Sequence, residues 1–120
     1  MTISTLEASD SLTHVALIGA LDVAGIREIE APFLALTAGR KASTIVDLSD
    51  VSFIASFGMR MLIASYKLLS QENHKMILLN PSPDVAKVLE CAGFTDVMPV
   101  VATEAEARQL LQEPANQKPR

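Results

Sequence analysis

The chain has no tryptophan, one tyrosine and four phenylalanines. That scarcity removes the stacked aromatic platform on which single-stranded nucleic acid is held. A basic stripe is missing too. Ten Lys and Arg residues are scattered among fourteen Asp and Glu, for a net charge of −4. We therefore expect no nucleic-acid partner, because phosphate backbones call for clustered positive charge. The single cysteine, Cys91, cannot form an internal disulfide, so a reducing compartment is the natural setting. No apolar run approaches the roughly 18 residues of a membrane helix. Met1–Asp10 has neither a basic start nor an apolar signal core. The expectation is a cytoplasmic protein with no direct membrane insertion. No Gly-rich phosphate loop occurs.

What is present is enough for one domain. The chain has 120 residues, of which 49% are hydrophobic. A domain of that size buries roughly 65% of its unfolded surface and needs no metal or disulfide.

Apolar alternation over Ile3–Leu6 reads as a short strand, Asp10-Ser11 as a turn and His14–Ile18 as the second strand of a hairpin. Asp22 stands at a helix N-cap, where its carboxylate accepts a first-turn N–H. Ile26, Ile29, Phe33 and Leu36 give that helix one buried stripe. Pro32 inside it predicts a kink, and Gly39 a stop.

Thr44–Leu48 reads as a central parallel strand, and Ser56–Gln71 as a helix. Met76–Leu79 is a buried strand. Asn80–Pro83 leads into a helix with Val85, Val88 and Leu89 inward and Gly93 as its stop. Val97–Val101 reads as a last strand. Thr103–Leu111 is a helix opened by a Thr103/Glu106 capping box. Glu113–Arg120 carries two prolines and little to bury, so we expect a disordered tail. The order predicts an α/β layer fold: a mostly parallel sheet that begins with a hairpin.

The Ser56–Gln71 helix is the most informative stretch. Gly58, Met61, Leu62, Ser65, Leu68 and Leu69 share one face, expected against the sheet. Arg60, Ala64, Lys67 and Gln71 share the opposite, wet face. Ser56, Met59 and Ile63 form a border strip beside Arg60, either a docking patch or edge core. Ser56 itself fits two roles. It can cap the helix, or it can carry a phosphate facing free N–H groups and the positive end of the dipole. Phe57 is either core or a partner anchor.

Other chemistry does not assemble. His14 and His74 have no Cys or Glu at metal-ligand spacing and read as surface or edge histidines. Cys91 has no base or CxxC partner and reads as a buried, inert thiol. Asp47, ending an apolar strand, suggests a receiver-type phospho-acceptor, but the acidic pair and lysine of that chemistry are missing. No set of nucleophile, base and oxyanion donors forms, so we expect no enzyme, no cofactor and no metal.

The run Val46–Leu69 (V-D-L-S-D-V-S-F-I-A-S-F-G-M-R-M-L-I-A-S-Y-K-L-L) resembles the signature of the STAS domain of bacterial anti-sigma factor antagonists. Gly19–Asp22 (G-A-L-D) resembles that family's turn before its first helix. Asn80–Phe94 resembles its N-x-S-x-x-V-x-x-x-L-x-x-x-G-hydrophobic helix. The resemblance implies a STAS domain over residues 1–112, with about five strands and four helices.

It also implies partner switching. The unphosphorylated form would bind an anti-sigma factor that is also a serine kinase of the histidine-kinase-like ATPase type, and so release its client. Phosphorylation of the matching serine, Ser56, would end that complex, and a PP2C-type phosphatase would restore it. The implied binding surface comprises Asp22, Ser56, Phe57, Met59, Arg60 and Ile63. Asp22 and the Asp47–Asp50 segment are expected at one end of the sheet. Many members carry D-S-S-G where this chain has Ala55-Ser56-Phe57-Gly58. The free protein is expected to be a monomer. Rival implications are an accessory subunit of a membrane (lipid) ABC transport system and weak nucleotide binding near Asp22.

Overall fold

The computed structural model describes residues 1–112. The tail expected at Glu113–Arg120 lies outside the described residues. The strands are β1 (Thr2–Ala8), β2 (Leu12–Leu21), β3 (Ser43–Ile54), β4 (Met76–Leu79) and β5 (Val100–Val101). The helices are α1 (Val23–Leu36), α2 (Ser56–Gln71), α3 (Pro83–Cys91) and α4 (Glu104–Leu111). The five strands form one sheet in sequence order. The β1–β2 hairpin is antiparallel, and every later pair is parallel. Five strands, four helices and an opening hairpin are what the sequence pattern predicts.

Helices α1, α2 and α3 cover one face of the sheet. Ile29, Phe33, Leu62, Leu69 and Leu89 meet Val15, Leu17, Val46 and Leu78 there. The other face is covered by α4, whose Ala107 joins Leu12, Ile45, Ile77 and Leu79. Arg108 ties α4 to the hairpin by donating to Glu7 at 2.6 Å and to Glu104 at 2.7 Å. The bond to Glu7, then that to Glu104, raises the guanidinium pKa above its ordinary value. The capping box at Thr103 and Glu106 forms as expected.

Several details differ from expectation. Helix α1 runs through Pro32, which lies on its exposed face, so the missing N–H falls where water can serve the freed carbonyl. Its end comes at Thr37 rather than Gly39, because the Thr37 hydroxyl and N–H both donate to the Phe33 carbonyl. The Val97–Val101 strand shrinks to Val100–Val101. Gly93, at φ 82°, opens a 3-10 turn. The amides of Val97 and Met98 then both turn back to Phe94 O, leaving no ladder donors there.

Cys91 is exposed, not buried. The inward stripe of α3 is Val85 and Leu89, and two residues past Leu89 the helix has turned to the far side. Val88, expected inward, lies off the same stripe and is exposed. His14, expected at the surface, is buried. Strand β2 is internal, and His14 sits between Glu7 and Ile45. Its Nε2 has no hydrogen-bond partner.

Candidate functional site

The site is built where β2 and β3 hand over to their helices. Strand β3 does not stop at Leu48 but continues to Ile54, bulging twice against β2. Asp47 and Asp50 therefore lie within the strand, paired with Ala16 and Ile18, rather than at its end beside Asp22. Asp47 turns its carboxylate to the Ser49 N–H at 2.9 Å.

At the true strand end, Ala55 donates its N–H to Leu21 O at 3.0 Å. That bond places the residue before Ser56 against the residue before Asp22. Asp22 caps α1 as expected, accepting from Gly25 N at 2.8 Å. Two glycines allow the close approach. A Cβ on Gly25 would stand 2.1 Å from Ala20 O, and one on Gly58 would stand 2.9 Å from Leu21 Cβ. No side chain fits at either place.

Ser56 is not the N-cap. Ala55, extended at φ −108° and ψ 176°, occupies that position and offers no side-chain bond. The Leu21 bond holds Ala55 in strand geometry, so the helix starts one residue earlier than a serine cap requires. Ser56 becomes the first helical residue. Its side chain is exposed and accepts or donates no hydrogen bond among the described residues. The two local readings of Ser56 are thereby separated: capping does not consume its hydroxyl.

The residues around it divide by side of the helix. Phe57 is 49% exposed, which excludes the core reading. Arg60 lies over its ring, 5.5 Å from the centroid, within cation–π range. Met59 and Ile63 turn the other way, half-buried and packed on the main core. Ser56 sits between these two sets, about 40° around the helix from Arg60. Leu68, expected on the sheet-facing side, is 47% exposed. One residue from buried Leu69, it is turned about 100° toward α1.

The Phe57 side of α2 faces α1 across a groove. Val23, Arg27 and Glu30 form one wall, and Phe57, Arg60 and Ala64 the other. Sequence reading missed the α1 wall. Its signal was a second stripe at Val23, Arg27, Glu30 and Leu34, spaced by four, three and four, beside the buried one. The helices are locked at their far ends by a buried relay. Ser65 Oγ donates to Thr37 Oγ1 at 2.6 Å, which donates to Phe33 O at 2.7 Å.

Among the described residues, no three His, Cys, Asp or Glu side chains gather as a metal site. No helix there is long and apolar enough to cross a membrane.

Comparison with known proteins adds the decisive observation. The STAS domain model matches residues 4–107, nearly the whole described chain. The chain belongs to the STAS domain family. The chain is 28% identical over 98 residues to the anti-sigma-B factor antagonist of Staphylococcus aureus, covering 81% of this chain and 91% of that one. To BtrV of Bordetella bronchiseptica, a candidate anti-sigma factor antagonist, it is 26% identical over 103 residues, covering 86% and 89%.

Among solved structures, SpoIIAA of Bacillus in its phosphorylated form aligns at a TM-score of 0.68 with 26% identity. That alignment covers 92% of this chain and all of that one, 100%. An anti-sigma factor antagonist from Mycobacterium paratuberculosis aligns at 0.80 with 24% identity, over 93% and 96%. This last likeness speaks to fold alone. The STAS motif run lies on β3 and α2, so the head of α2 sits inside the matched span.

Proposed function

We propose that this STAS domain is an anti-sigma factor antagonist that works by partner switching. The unphosphorylated form binds an anti-sigma factor that is also a serine kinase of the histidine-kinase-like ATPase type. Binding releases the client, a sigma factor or its analogue. Phosphorylation of Ser56 ends the complex, and a PP2C-type phosphatase restores it. The whole cycle runs in the cytoplasm without catalysis by this chain.

One observation carries the reading. Ser56 presents an unbonded, exposed hydroxyl in the first turn of α2, next to a half-exposed Phe57. A phosphoryl group there meets the positive end of the helix dipole and first-turn N–H groups that no side chain caps. It leaves the fold intact while adding about −1.5 to −2 charges to the surface. In an interface made by Asp22, Ser56, Phe57, Met59, Arg60 and Ile63, that charge brings like-charge repulsion and a desolvation cost. The names of the relatives support the antagonist reading, and SpoIIAA, solved unphosphorylated as well as phosphorylated, supports the switch.

The test is binding of the organism's anti-sigma factor kinases to three forms of the protein by calorimetry. Wild type and Ser56→Ala should bind. Ser56→Asp should lose binding while keeping its melting temperature. Equal binding by all three forms, or co-purification with a membrane permease and no kinase, contradicts the proposal.

A further inference from the structure

The groove between α1 and α2 does not end at Arg60. A second depression follows along the same two helices, walled by Leu34 and Ala35 on one side and Leu68 and Gln71 on the other. Three of the eight exposed large apolar side chains among the described residues open on this one line. Val23 is 46% exposed and Phe57 49% at its head, and Leu68 is 47% exposed at its foot. From Val23 to Leu34 the line runs about 16 Å, roughly three helical turns. Ala64 and Ala35, too small to fill the gap between the helices, deepen it.

Its charge runs against that of the chain. Arg27, Arg60 and Lys41 line it against Glu30 and Glu72, three cations to two carboxylates, in a protein of net charge −4. None of the three cations has a salt-bridge partner among the described residues. Among the described residues, the Arg60 head group rests on the face of Phe57.

We propose that this groove receives an amphipathic helix of the anti-sigma factor. That helix carries apolar residues at both ends of a three-turn face and one or two carboxylates between them. The inference rests on the partner-switching reading and names the chemistry of the partner. Apolar anchors fill the Val23–Phe57 and Leu34–Leu68 ends, as helices do in apolar grooves. The carboxylates take Arg27 and Arg60. Ser56 and Arg60 are four residues apart, a spacing at which side chains meet on a helix. A phosphoryl group on Ser56 therefore takes the Arg60 guanidinium from the partner's carboxylate. The switch acts by competition for one cation as well as by repulsion, and it acts at one end of a contact that extends three turns beyond the phosphorylated residue.

Leu68→Glu separates this from a contact confined to the helix head. The side chain is solvent-facing and three turns from Ser56, so the variant should fold, checked by far-ultraviolet circular dichroism and melting temperature. With the full-length anti-sigma factor, Leu68→Glu and Arg27→Glu should each weaken binding by about tenfold or more. Full affinity in both variants, with Ser56→Asp still inactive, overturns the groove and leaves the switch standing. No binding by wild type overturns both. Light scattering of the free protein supplies the remaining outcome: a wild-type dimer that Leu68→Glu dissociates would mean that a second copy fills the groove, and would overturn the proposed occupant.

Discussion

The guanidinium of Arg60 lies 5.5 Å from the centroid of the Phe57 ring, one turn along α2. The ring is held up to solvent rather than folded into the core, and a cation covers one of its faces. An aromatic in that state makes little contribution to the fold and offers a large area to a partner. Phe57→Ala should change the unfolding free energy by less than about 1 kcal/mol. It should weaken anti-sigma factor binding by about 2 kcal/mol, the usual cost of truncating an aromatic anchor. Urea unfolding and calorimetry measure the two separately.

Asp22 has two separable properties, a cap and a charge. Asp22→Ala removes the bond to Gly25 N and should cost about 1 kcal/mol of stability. Asp22→Asn keeps a side-chain oxygen for the cap, so its stability should stay within about 0.5 kcal/mol of wild type. Any change in partner affinity in the Asn variant is then an effect of charge alone. Comparing melting curves of the two variants checks the first part.

The close approaches at Gly25 and Gly58 predict a graded response. At Gly58 a Cβ meets Leu21 Cβ and the Leu21 carbonyl at 2.9 and 3.0 Å, and Gly58→Ala should destabilise by about 2 kcal/mol through overpacking. At Gly25 the obstacle is the Ala20 carbonyl at 2.1 Å, backbone that cannot rotate away. Gly25→Ala should be the more damaging of the two by denaturant titration. The reverse order would mean that α1, not α2, has room to shift.

His14 leads in the other direction. Its Nε2 is buried without a partner, and His14→Leu removes that unmet polar atom while keeping apolar volume under α4. Stability should rise by about 1 kcal/mol, read from the urea midpoint.

Most of the architecture was readable in the chain because local and tertiary preferences agree there. The Asp22 cap and the Thr103/Glu106 box are each dictated by residues within one helical turn, and the α2 span by the periodicity of its own apolar residues. Failures occurred where a distant partner decides. Ala55 is an N-cap only because Leu21, thirty-four positions earlier, holds its amide. His14 is buried because β1 and β3 flank it, and neither pairing is visible in the H-V-A-L-I run. Leu68 and Val88 are apolar residues on helix borders, where periodicity places a side chain to within one step but cannot say which neighbour covers it. The same ambiguity hid the groove: Val23 and Arg27 acquire meaning only when α1 and α2 are laid side by side.

The central claim is that Ser56 is the switch, and phosphosite mapping tests it most directly. The protein is incubated with the anti-sigma factor kinase of its own organism and ATP, and its peptides are read by tandem mass spectrometry. The account predicts one added phosphoryl group, on Ser56, and no incorporation into Ser56→Ala. Phosphate mapped to another residue, or none from a kinase active on a control substrate, would contradict it.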